Sequence, residues 1–168
     1  MGSNKRKTTI TLKTSDELLV EVEKSIIEEM ETIKNLLDDT ISDPGTLALT
    51  IVPVPEVSSE ALAMIVEYLT KSADLKALKV SREKTKAYGT KFVKRLNDRE
   101  LLMAISAVNY LNVKHLIGML QDAVADRIKN KSVEYVREFF NIKGDFREAK
   151  EKQLRQENEW AYEGVDED

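Results

Sequence analysis

From residue 145 to the C-terminus the sizeable apolar side chains are only Phe146, Leu154, Trp160, Tyr162 and Val165. They are set among Arg147, Glu148, Lys150, Glu151, Lys152, Arg155, Glu157 and Glu159. A segment this poor in apolar surface cannot offset its own ordering entropy by packing on itself. It has to finish against something else, and what covers Trp160, the single tryptophan of the chain, is the first question.

The residues before this tail read as a run of short, capped helices. Asn97 with Glu100 forms a capping-box pattern, and Leu101, Ile105 and Val108 then line one face through to Leu111. The next helix, Lys114 to Lys129, carries Ile117, Leu120, Val124 and Ile128 as its stripe. Ser132 caps a short helix with Val133, Val136, Phe139 and Phe140, Gly144 suits a left-handed terminal position, and Asp145 with Glu148 opens the last helix.

The N-terminal half is organised differently. Thr8 to Leu12 and Leu18 to Val22 alternate apolar and β-branched residues around the turn formers Thr14 to Glu17, which predicts a hairpin. From Ser25 the period lengthens, and Ile26, Met30, Ile33 and Leu37 define one helix that ends near Asp38-Asp39. Asp43-Pro44-Gly45 marks a turn before an extended Leu47 to Pro55, where Pro53 and Pro55 confine the strand to a sheet edge. Ser58 or Ser59 then caps a helix with Leu62, Ile65, Val66 and Leu69 buried. Lys71 to Arg95 holds nine lysines and arginines against Asp74 and Glu83, and reads as a basic linker, either functional or disordered.

Composition narrows the chemistry. At 168 residues there is room for one well-formed core with a helical appendage. No cysteine is present, so disulfides and thiolate ligands are excluded, and His115 alone cannot form an imidazole metal triad. His115 sits at a helix start and reads as structural. No glycine-rich phosphate loop or serine elbow occurs, and adjacent acids such as Glu28-Glu29 and Asp38-Asp39 diverge by about 100° on a helix. An enzyme is therefore not expected, and neither is a cofactor or a metal. The net charge of −4, with only Tyr88 and Phe92 as stacking rings in the basic stretch, argues against nucleic acid. No apolar run is long enough to span a bilayer and no secretory signal opens the chain, so cytoplasm and nucleus are the expected compartments. Gly2 permits myristoylation, but Asn4-Lys5-Arg6-Lys7 reads equally well as a solvated tail.

Recognition through packing remains, and four segments carry a resemblance. They are Ala107-Val108-Asn109-Tyr110-Leu111-Asn112-Val113-Lys114, the run Val124 to Ser132 (VADRIKNKS), Phe140-Asn141-Ile142-Lys143-Gly144-Asp145-Phe146, and Arg155-Gln156-Glu157-Asn158-Glu159-Trp160. In this order they closely resemble the Skp adaptor family of SCF (Skp–cullin–F-box) ubiquitin ligases, with looser agreement over the hairpin, first helix and Ile51 to Val57. The resemblance implies an α/β fold: a BTB/POZ domain, a small sheet with packed helices, over residues 8–121 with the basic linker at about 72–91. A C-terminal helical extension follows over 122–163.

It further implies a non-catalytic adaptor that bridges F-box substrate receptors to a cullin. Ile117, Val124, Ile128, Phe140, Ile142 and Trp160 occupy positions that line the family's F-box groove, and Asn109 with Tyr110 occupies positions used toward the cullin. Read by themselves, Val124, Ile128 and Phe140 also fit a plain core role. An uncovered apolar groove also favours a homodimer when no partner is present. The chain departs from the family where Tyr88-Gly89-Thr90-Lys91-Phe92 replaces a tryptophan-acidic motif, where a basic stretch replaces an acidic one, and where Ser132-Val133 replaces threonine-proline. These departures favour a divergent paralogue. They keep open an alternative, an F-box-binding or self-associating scaffold acting outside a cullin ligase.

Overall fold

Strand β1 (Thr9–Thr14) buries every second residue, Ile10, Leu12 and Thr14, as the two-residue period of a strand with one face on a core requires. In the computed structural model, which describes residues 8–40, 46, 49–144 and 146–165, β1 is the centre of a three-stranded sheet. β2 (Leu19–Glu23) pairs with it antiparallel, Leu12 opposite Val20, and β3 (Ile51–Val54) pairs parallel, Leu12 opposite Val52. β3 lies at the sheet edge, where Pro53, unable to donate to a ladder, is tolerated. The hairpin closes through Glu17, held at φ 64°, whose N–H bonds to the Thr14 carbonyl at 3.0 Å.

The helix expected from Ser25 is two helices, α1 (Lys24–Ile27) and α2 (Glu31–Thr40). The Met30 N–H turns back onto the Ile27 carbonyl at 2.9 Å, which interrupts the helical ladder, yet Ile26, Met30, Ile33 and Leu37 are all buried. The apolar spacing is thus satisfied by two short elements in place of one. The Asp43-Pro44-Gly45 turn and the start of the extended run at Leu47 lie outside the described residues.

Ser58 caps α3 (Ser59–Ala77) by accepting from the Ala61 N–H at 3.2 Å, and Leu62, Ile65, Tyr68 and Leu69 are buried, with Val66 half-buried. The basic stretch at 72–91 is not a linker. α3 runs through its first residues, and α4 (Arg82–Arg95) takes up most of the rest, capped by Ser81, whose hydroxyl accepts from the Lys84 N–H. Gly89, Phe92 and Val93 supply a narrow buried stripe that the surrounding lysines hide from a composition-based reading.

α5 (Asp98–Leu111) begins with a reciprocal capping box. The Glu100 N–H donates to the Asn97 side chain at 2.9 Å and the Asn97 N–H to Glu100 at 2.8 Å. Leu101, Ala104, Ala107, Val108 and Leu111 are buried, and Ile105 is half-buried. α5 packs on α3, and each fully buried Leu or Ile there contributes roughly 1.5–3 kcal/mol of transfer free energy. α6 (Lys114–Ile128), α7 (Val133–Phe139) and α8 (Glu148–Glu157) follow, then a 3₁₀ turn, Glu159–Tyr162.

The chain forms two compact units, Met1–Gln121 and Asp122–Asp168, with the boundary inside α6. Asparagines do the work expected of Gly144: Asn112, Asn130 and Asn141 take left-handed φ values of 54°, 59° and 52° just after α5, α6 and α7. Asp145, expected to open the last helix, lies outside the described residues, and Arg147 occupies the N-cap.

Candidate protein-interaction site

Within the second unit, Ser132 starts α7 by accepting from the Tyr135 N–H at 3.0 Å. Phe139 then turns inward, at 7% exposure, stacked near Tyr135 with centroids 6.3 Å apart and meeting Phe140 edge to face at 4.9 Å. It is the one large apolar side chain of residues 122–165 that is fully buried among those described. After α7 the Ile142 N–H closes onto the Arg137 carbonyl at 2.8 Å, fixing the connection on which Phe140 and Ile142 sit.

α8 buries no residue at all, so apolar packing does not explain its place. A charge network does. The Arg155 guanidinium spans Glu134 of α7 and Glu151 of α8, the latter at 3.2 Å, and Arg137 of α7 reaches Glu151 at 2.9 Å. The Arg137 and Arg155 hydrogen bonds hold the Glu151 carboxyl below its ordinary range. Glu134 is lowered by its own backbone N–H first and by Arg155 second. Arg155 also lies over the Tyr162 ring, 5.5 Å from its centroid, and the Asn158 side chain donates to the Leu154 carbonyl at 2.9 Å. These contacts build the short turn that carries Trp160.

Trp160 is 73% exposed, Ile142 56% and Phe140 37%. Val124 and Ile128, four apart on α6, are half-buried, as is Ile117, which belongs to the first unit. Phe146, 52% exposed, adds to the apolar surface. It was not among the site residues expected from the sequence, because the stretch before α8 has no periodicity to single it out.

In the first unit, Asn109 is exposed and Tyr110 half-buried at the end of α5, where the Tyr110 carbonyl accepts from the Thr32 hydroxyl at 2.8 Å. Glu31 ties this end down, accepting from Asn112 at 2.9 Å and pairing with Lys114 at 2.8 Å. Both partners help to line a recess of about 210 Å³, together with Glu28, Glu29, Glu31, Lys34 and His115. His115 lies 3.8 Å from Glu29 and 5.9 Å from the Tyr68 ring. Burial pushes its pKa below the ordinary 6.5, against the pull of Glu29 and with the help of Lys76. The imidazole keeps 38% of its side-chain surface exposed, on the wall of that recess. Among the described residues no cluster of His, Cys, Asp and Glu is placed to hold a metal, and no helix is long and apolar enough to cross a membrane.

An under-filled helical unit joined to a small mixed sheet is the arrangement implied by the four sequence segments, and comparison with known proteins decides the family. Residues 8–74 match the Skp1 family tetramerisation domain, and residues 114–161 match the Skp1 family dimerisation domain. SKP1-like protein 1A of Arabidopsis thaliana is 37% identical over 92% of this chain and 97% of its own length. The chain belongs to the Skp1 family. SKP1-like protein 1 of Oryza sativa subsp. japonica, 34% identical over 97% of the chain and all of its own length, is similar end to end. The sheet and its packed helices are accordingly BTB/POZ-like. As a Skp1-family member the chain is an SCF-type ubiquitin ligase adaptor, with F-box proteins and a cullin as partners and a capacity for self-association.

Proposed function

We infer that the protein acts without catalysis, in cytoplasm and nucleus, and that it holds F-box receptors on an apolar face of its C-terminal extension, residues 122–163. Val124, Ile128, Phe140, Ile142 and Trp160 of that extension contact the F-box, Ile117 of the first unit is a further F-box contact, and Asn109 with Tyr110 meets the cullin. The observation that carries the reading is an inversion of the usual burial order. The second unit buries Phe139 yet exposes Phe140, Ile142, Phe146 and Trp160. Exposed apolar residues gathered in one small unit mark a protein-binding surface, and an aromatic anchor is the residue type that most often dominates one.

Calorimetric titration with an F-box domain tests the assignment. Trp160→Ala is expected to weaken binding by about 2 kcal/mol or more, roughly 30-fold. Unchanged affinity in that variant removes Trp160 from the face. A second reading, a scaffold that binds F-box proteins outside a cullin ligase, is favoured by the basic α4 where the family has acidic residues. Addition of a cullin N-terminal domain separates the two, because the adaptor forms a ternary complex and the scaffold does not.

A further inference from the structure

Residues 71–95 carry nine basic side chains and two acidic ones in a chain of net charge −4, so the remainder is strongly acidic and the positive charge is concentrated in one place. α4 orders it. At 100° per residue, Gly89, Phe92 and Val93 face inward, Lys84, Lys91 and Lys94 project from the opposite side, Lys86 leaves on the flank away from Tyr88, and Arg82, exposed in the first turn, stands about 120° round the helix from Tyr88. Lys84, Lys91 and Lys94 are exposed and make no ion pair among the described residues.

Beside this stripe, Tyr88 and the α3 residues Glu67, Thr70, Lys71 and Asp74 line a recess of about 420 Å³. Its wall is preformed: the Tyr88 ring stacks on Tyr68 with centroids 5.7 Å apart and planes 14° from parallel, and Arg95 engages Glu67 at 3.0 Å. The recess is therefore close to neutral inside and basic at its rim, with room for one side chain.

The occupant follows from what the face lacks. Phe92 is buried and Tyr88 is half-buried with its ring against Tyr68, so no ring is free to stack on a nucleobase. The apolar side of α4 is turned into the core, and Leu78 alone, exposed between α3 and α4, is too little apolar surface to enter a bilayer. We propose that the α3–α4 face docks a carboxylate-rich segment of a partner polypeptide, one side chain seated beside Tyr88 and flanking carboxylates on Lys71, Lys84 and Lys91. The face belongs to the first unit and uses none of the residues assigned above to the F-box or the cullin, so it stands or fails separately from that reading.

Fluorescence anisotropy on the full chain tests it, with a labelled peptide of alternating glutamate and aspartate around a central tyrosine. K84E/K91E is expected to weaken binding about tenfold or more, whereas R82E/K86E, with the same change in net charge, alters it less than about twofold. Thr70→Phe, which fills the recess, should also weaken it, and added salt should weaken the parent complex. Equal loss in the two double variants reduces the effect to net charge and overturns the proposal. So does tighter binding of a single-stranded oligonucleotide or of phosphatidylserine vesicles, or a salt-sensitive dimer in sedimentation that K84E/K91E dissolves, which makes a second copy the occupant.

Discussion

The Asp16 carboxylate accepts from both the backbone N–H of Ser59, at 2.8 Å, and the Ser59 hydroxyl, so the β1–β2 turn grips the first turn of α3 across 43 positions of sequence. The Ser59 bonds lower the Asp16 pKa from 3.8 to about 2. A carboxylate with a depressed folded-state pKa contributes stability that is fully present above its unfolded value and is lost as pH falls through the folded one. Asp16→Ala should lower stability at neutral pH and flatten the acid limb between 3.8 and about 2, as read by urea denaturation at stepped pH. An unchanged acid limb removes this contact from the account.

His115 runs the other way. Its folded pKa lies below 6.5, so the unfolded chain takes up the proton first and stability declines as pH falls below 6.5, with no contribution above it. His115→Gln should abolish that part of the slope while leaving the neutral-pH stability close to that of the parent. Denaturation midpoints on either side of 6.5 measure it.

Removing the Asn97 cap leaves the first turn of α5 with unsatisfied donors. Asn97→Ala is expected to cost about 1 kcal/mol, seen as a lower denaturant midpoint at constant slope. Asn97→Ser, which keeps an acceptor, should recover most of it.

Because α8 buries nothing, its order depends on Arg155 and Arg137. Arg155→Ala should speed amide exchange across 148–157 and leave β1 unaffected. Equal protection in parent and variant contradicts the network's role.

Much of this molecule was legible where a single rule governs. The two-residue period of β1, the Asn97–Glu100 box and the Ser58 and Ser132 caps all form as their local chemistry dictates. The misses have physical causes. α4 was obscured because Gly89, Phe92 and Val93 are three buried residues among six bases, and composition outweighed spacing. The break between α1 and α2 leaves no trace in a pattern that both elements satisfy. Gly144 lost its expected role to Asn141, whose left-handed φ a sequence reading assigns to glycine first. The exposure of Trp160 was legible because nothing around it in sequence was available to cover it.

Trp160 is the only tryptophan, so intrinsic fluorescence reports its surroundings directly. The free chain should emit as a solvent-exposed indole, given 73% exposure, and titration with an F-box domain should shift the emission to the blue and protect it from acrylamide quenching, saturating at one equivalent. A blue-shifted, quencher-protected Trp160 in the free monomer, or an emission that stays put while the F-box domain binds, contradicts the claim that this indole waits for a partner.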